Sequence, residues 1–92
     1  MKPEERKISD AAMKFLANYA NTYYPISDYM FDLAEAVHAT RGFTKAHNIL
    51  VKEQDTFKNK LKKAKCRLEK YCIMYGRERV LEIVNENDGY SN

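Results

Sequence analysis

Ninety-two residues with a net charge of +3, 45% hydrophobic and 32% charged, make one domain that is too apolar for disorder and too charged for a membrane protein. A chain of this size buries only roughly 60–65% of its unfolded surface, so its core is small. No apolar run approaches the roughly 18 residues a membrane span needs, the stretch Met1–Arg6 has no apolar core like a signal peptide, and two Cys in a Lys-rich chain point to reduced thiols and a cytoplasmic protein.

Strand signals are nearly absent, and helix signals are punctuated by Pro25, Gly42 and Gly76. The first segment runs from about Pro3 to Tyr23, with Ile8, Ala12, Phe15, Leu16, Tyr19 and Tyr23 recurring at three- and four-residue spacings. Pro3, Glu4 and Glu5 suit its first turn, and Ser9 is an alternative N-cap. Tyr24 precedes Pro25, which disfavours a helical conformation at Tyr24 and should end the element. A second segment starts at Ser27 as N-cap and carries Met30, Leu33, Ala34 and Val37 on one face, with Phe31 at its edge. Arg41 suits its last turn, and Gly42 is expected at positive φ just beyond.

The third segment begins at Thr44, read as an N-cap, and meets no Gly or Pro before Gly76. Leu50, Gln54, Phe57, Leu61, Ala64, Leu68, Tyr71 and Tyr75 alternate four- and three-residue steps, the seam of a heptad repeat. Arg77–Glu86 is then a short helix burying Val80, Leu81, Ile83 and Val84. The expected fold is all-α: a small bundle of three to four helices with one long heptad-patterned helix over about 44–75. The domain should cover 1–86, with 87–92 a flexible polar tail.

Charge is uneven along the chain. Thr44–Arg79 holds eleven basic and four acidic side chains, a net +7, while the remainder is −4. Within it, Lys58, Lys60, Lys62, Lys63, Lys65, Arg67 and Lys70 accompany one anion, Glu69. On a helix these cations fall on both sides of the seam. Like charges such as Lys58 and Lys62 repel at i,i+4, and a phosphate backbone relieves that repulsion while releasing counterions. The alternative is a solvated face whose lysine stems cover the seam.

Two stretches, Thr40-Arg41-Gly42-Phe43-Thr44-Lys45-Ala46-His47-Asn48-Ile49-Leu50 and Thr56-Phe57-Lys58-Asn59-Lys60-Leu61-Lys62-Lys63, resemble the helix-turn-helix of the Fis type. The resemblance covers about residues 40–64. It implies a first helix over about 44–50, a recognition helix over about 55–64, dimerisation, and DNA contacts at Thr56, Lys58, Lys60, Lys62 and Lys63. One continuous helix over 44–75 accounts for the same residues without a turn.

Other chemistry is sparse. Cys66 and Cys72 are six positions apart, on different faces of a helix, and are expected neither to bridge nor to share a metal. His38 and His47 lack neighbouring ligands, so no metal or cofactor is expected. No phosphate loop, metalloprotease motif or Ser-His-Asp set is present, which leaves a non-enzyme. Tyr19, Tyr23, Tyr24, Tyr29, Phe15 and Phe31 cluster around the first turn, as interface, base-stacking platform or intramolecular core.

Two functions fit. One is a small nucleic-acid-binding regulator, dimeric through its seam, with Thr56, Lys58, Lys60, Lys62, Lys63, Lys65, Arg67 and Lys70 as contacts. The other is a protein-interaction module: an adaptor, or an inhibitor of the kind phages and mobile elements encode. That module would bind an acidic partner surface through Leu50, Gln54, Phe57, Leu61, Tyr19 and Tyr23.

Overall fold

A computed structural model describes residues 2–90. It has a 3-10 turn at Pro3–Glu5, helix α1 over Asp10–Ala39, α2 over Thr44–Tyr75 and α3 over Arg77–Glu86. No strand occurs among the described residues. The architecture is a small all-α bundle in which α1 and α2 form a long antiparallel hairpin and α3 packs against one end of it.

Ser9 starts α1, its hydroxyl accepting from the Ala12 amide at 3.2 Å. Pro3–Glu5, expected to open this helix, is a separate turn; an extended link carries Ile8 into the core. Arg79 clamps that link, Nη1 donating to the carbonyls of Glu4 at 3.0 Å and Arg6 at 2.6 Å.

The largest departure from the sequence reading is at Pro25. No break occurs there: α1 continues through it to Ala39, so the two expected N-terminal helices are one. Ser27 is therefore an exposed helix-interior residue and not an N-cap. Proline removes a single amide donor, and packing on both sides of Pro25 outweighs that loss. Tyr19, Tyr23 and Tyr24 hold the helix before it, and Leu33 is buried after it.

The tip of the hairpin also differs. Gly42 does not take positive φ; among the described residues only Gly76 does. Arg41 lies in the turn rather than in the last turn of α1. Side chains replace the expected glycine cap. The Thr40 hydroxyl donates to the Ala36 carbonyl at 2.8 Å, and His47 Nδ1–H donates to the Val37 carbonyl at 3.0 Å. A carbonyl only accepts, which fixes the proton on that nitrogen. Phe43, not Thr44, is the N-cap residue of α2 and offers no side-chain acceptor.

Beyond the tip, α2 runs unbroken for 32 residues, about 48 Å at 1.5 Å per residue. Residues 51–54, where the Fis-type resemblance implies a turn, are helical. The heptad seam faces the rest of the chain as its spacing requires: Ala64 and Tyr75 are buried, and Leu50, Gln54, Phe57, Leu61, Leu68 and Tyr71 half-buried.

The core occupies one end. Ala12, Leu16, Tyr19 and Ala20 of α1, Ala64, Cys72 and Tyr75 of α2, and Val80 and Val84 of α3 form one cluster. Burial pushes the Cys72 thiol up, so it is a packing group rather than a thiolate. From Asn21 to Lys63 only Leu33 is buried, so the hairpin extends past the three-helix head as a two-helix arm. The extents of 57 × 26 × 18 Å and radius of gyration of 16.8 Å express this, against about 12 Å for a compact chain of this length.

Past α3 the chain does not simply fray. The Asn21 side chain donates to the Asn87 carbonyl at 3.0 Å and accepts from the Gly89 amide at 2.9 Å, and the Tyr90 hydroxyl donates to Asp28 Oδ2 at 2.6 Å. That bond to Asp28 raises the Tyr90 pKa, because it favours the protonated phenol. The last two residues of the expected tail lie outside the described residues.

Gly76 joins α2 to α3 at φ 92° and ψ 129°, a conformation that L side chains rarely adopt. A Cβ there would sit 3.6 Å from the Glu4 Cβ, an ordinary contact, so the penalty is one of backbone strain. Gly76→Ala is expected to destabilise the fold by about 1–3 kcal/mol, read as a lowered urea midpoint with an unchanged m-value.

Candidate nucleic-acid interface

All seven cations between residues 58 and 70 are exposed on α2. The run's one carboxylate, Glu69, is taken by Arg77 at 2.6 Å, and among the described residues none of the run's lysines has an ion-pair partner. Solvent, not this protein's own carboxylates, faces these ammonium groups.

Helical periodicity sorts them by side. Lys58 and Lys65 share a heptad stripe with Cys72, which is buried in the three-helix core, so they lie on the α3 side of the hairpin. Lys58 lines a hollow along the arm with Met30, Phe31, Ala34, Gln54 and Asp55. Lys60, Lys63 and Arg67 line a different hollow with Phe15, Tyr23 and Ala64. Lys62, Lys63, Arg67 and Lys70 edge the outer face of α2 around Cys66 and Tyr71. The positive surface continuous with the aromatic floor is therefore Lys60, Lys63, Arg67 and Lys70; Lys62, two positions from Lys60 and four from Lys58, turns away from it toward Lys58.

Arg67 is not a free cation like its neighbours. Its guanidinium carbon sits 4.4 Å from the centroid of Phe15, and Nε donates to the Tyr71 hydroxyl at 3.1 Å. Rings of Phe15 and Tyr71 lie 5.5 Å apart, and those of Phe15 and Tyr23 6.2 Å apart. Arg67 thus keeps its charge at the surface while its plane is fixed by packing. Thr56 is exposed, its hydroxyl donating to the Lys52 carbonyl at 3.0 Å within the same helix.

The expected protein-contact residues divide as well. Tyr19 is 6% exposed and belongs to the core, so it is not available to a partner. Burial raises its pKa, with Tyr24 and Tyr23 adding to the shift. Tyr23, Leu50, Gln54, Phe57 and Leu61 are half-buried. Phe57 meets Tyr29 edge-on at 5.4 Å.

Lys14 and Asn18 were outside the sequence-based site and lie beside it: both line a hollow with Phe15, Thr22, Tyr23 and Arg67. Their i,i+4 spacing marks a polar stripe on α1, but nothing in the linear sequence places that stripe against Arg67. Among the described residues no three His, Cys, Asp or Glu side chains form a metal-holding group, no polar or charged residue is buried, and no helix is long and apolar enough to cross a membrane.

Fold and surface define a class: a small all-α helical bundle with a projecting helical hairpin and a basic face on its longest helix. No family model, curated protein or solved structure matches the chain.

Proposed function

We propose that this chain is a small nucleic-acid-binding regulatory protein, a binding protein rather than an enzyme, that holds phosphate backbone along the basic face of α2. The observation that carries this is the exposed group Lys60, Lys63 and Lys70, free of carboxylate partners among the described residues. A rigid helix holding three ammonium groups toward solvent on one face keeps their mutual repulsion unrelieved until an anion docks. Three phosphate contacts give a salt slope near −2.7 on duplex DNA, a loss of about 1.6 decades in affinity between 50 and 200 mM salt.

Two double variants test this with equal changes in charge. Lys63→Glu/Lys70→Glu reverses two charges on the aromatic-floored side, and Lys58→Glu/Lys65→Glu reverses two on the α3 side. In a low-salt gel-shift or anisotropy titration with DNA, the first should lower affinity by about 100-fold, two phosphate contacts at about 1.4 kcal/mol each, and the second by much less. No DNA binding by the unmodified chain at low salt, or none lost in Lys63→Glu/Lys70→Glu, refutes the reading.

A second reading, a protein-interaction module, draws on the arm. The α1 stripe that α3 covers at Leu16 and Ala20 recurs two heptads later as Met30 and Ala34, which line an open hollow. Phe31 beside them is 73% exposed. A second copy fits this stripe in net charge: Asp28, Asp32 and Glu35 make α1 acidic along the arm, where α2 carries Lys45, Lys52, Lys58 and Lys62 against Glu53 and Asp55, the latter in the hollow itself. Two arms paired about an axis along their length set each acidic helix between basic ones. The acidic partner surface is then α1 of the other copy, and sedimentation equilibrium reads out the dimer.

A further inference from the structure

We infer that the hollow between α1 and α2 at Phe15, Tyr23 and Arg67 takes an unpaired nucleobase, so that the ligand class is single-stranded nucleic acid. This rests on the reading of α2 as a phosphate-binding face and goes beyond it by assigning a base site. Two adjoining hollows of about 340 and 240 Å³ share these three residues and form one trough crossing the hairpin. Its floor is aromatic and its rims are cationic, with Lys60 and Lys63 on α2 and Lys14 on α1.

Three features favour a base over a bare phosphate chain. The Arg67 guanidinium is held over the rings of Phe15 at 4.4 Å and Tyr71 at 5.5 Å, with Nε donating to the Tyr71 hydroxyl at 3.1 Å; the residue is exposed, so its solvent side is the preoriented face on which a base would stack. Tyr23 is half-buried and its ring borders both hollows. Asn18 adds an edge contact: with Nδ2 donating to the Lys14 carbonyl at 2.9 Å, its Oδ1 remains to accept from a base N–H. In a duplex the base faces are stacked away and only the backbone reaches such a trough. Cations on both rims place phosphates before and after the base, as a strand crossing from α2 to α1 requires. Stacking on a π-face discriminates little among bases, so the site should tolerate sequence.

The test uses the full chain and three fluorescent probes at low salt: oligo-dT, an abasic oligonucleotide with the same number of phosphates, and a duplex of equal length. Oligo-dT should bind about tenfold more tightly than the abasic strand, because each stacked base contributes a factor of this order. Tyr23→Leu should remove that preference and leave the abasic affinity unchanged. Equal affinities for oligo-dT and the abasic strand in the unmodified chain overturn the base site while leaving phosphate binding intact. Failure to bind any of the three overturns both. Binding of the duplex in preference to oligo-dT also overturns the base site, since it would assign the whole affinity to backbone contacts.

Discussion

Leu16→Ala is expected to cost about 3–4 kcal/mol, enough to remove a large part of the stability of this fold. Leu16 is fully buried in the one core cluster to which all three helices contribute, with Ala12 and Ala20 a turn before and after it on α1 and Val80 and Val84 from α3 in the same cluster. Its neighbours on α1 are alanines, too small to collapse into the space left behind, so the cavity term adds nearly in full to the lost transfer energy. A chain of 92 residues has about 5–14 kcal/mol in hand, and a protein that confines its core to one end belongs low in that range. The thermal midpoint should fall by about 12–30 °C at 4–8 °C per kcal/mol. A fall of only a few degrees would mean that the head repacks, contrary to the close fit of α3 over α1.

Pro25→Ala is expected to act in the opposite direction, stabilising by about 2–3 kcal/mol. Pro25 lies well inside a helix of 30 residues, where it lacks an amide proton and its ring crowds the carbonyl four residues earlier. That carbonyl belongs to Asn21, whose side chain also holds the Asn87–Gly89 segment. Alanine restores the missing donor and relieves the crowding. A more flexible unfolded chain offsets about 0.4–1 kcal/mol of the gain. Thermal melts should show a rise of about 8–24 °C. A lowered midpoint would show instead that the proline ring, itself half-buried, contributes packing the alanine cannot supply.

Much of this fold is legible before any coordinates. Heptad spacing from Leu50 to Tyr75 marks the buried side of α2, the gap between Thr44 and Gly76 marks its length, and of the four residues expected to be buried on α3 the structure buries Val80 and Val84 and leaves Leu81 and Ile83 half-buried. Those features are local: period, propensity and the absence of a breaker act over a few residues. Local rules misplace the boundary at Pro25 and the cap at Gly42 for one reason. Each reads one residue alone, whereas at Pro25 the aromatic contacts around Tyr19 and Tyr23 outweigh the breaker, and at the tip the Thr40 and His47 hydrogen bonds cap the helix in place of Gly42.

The candidate site divides along the same line. The cations of α2 and their exposure follow from sequence alone, because lysine on a long amphipathic helix has nowhere else to go. Which of them matter together is a tertiary result. Phe15 and Arg67 are 52 positions apart, and only the antiparallel return of the chain stacks one on the other, bringing Lys14 and Asn18 to the rim. Charge and periodicity are properties of each residue and its near neighbours. The trough is a property of two helices in register, and register is set by the core at Leu16, Ala64 and Val84 through close packing, which permits one alignment and excludes the rest.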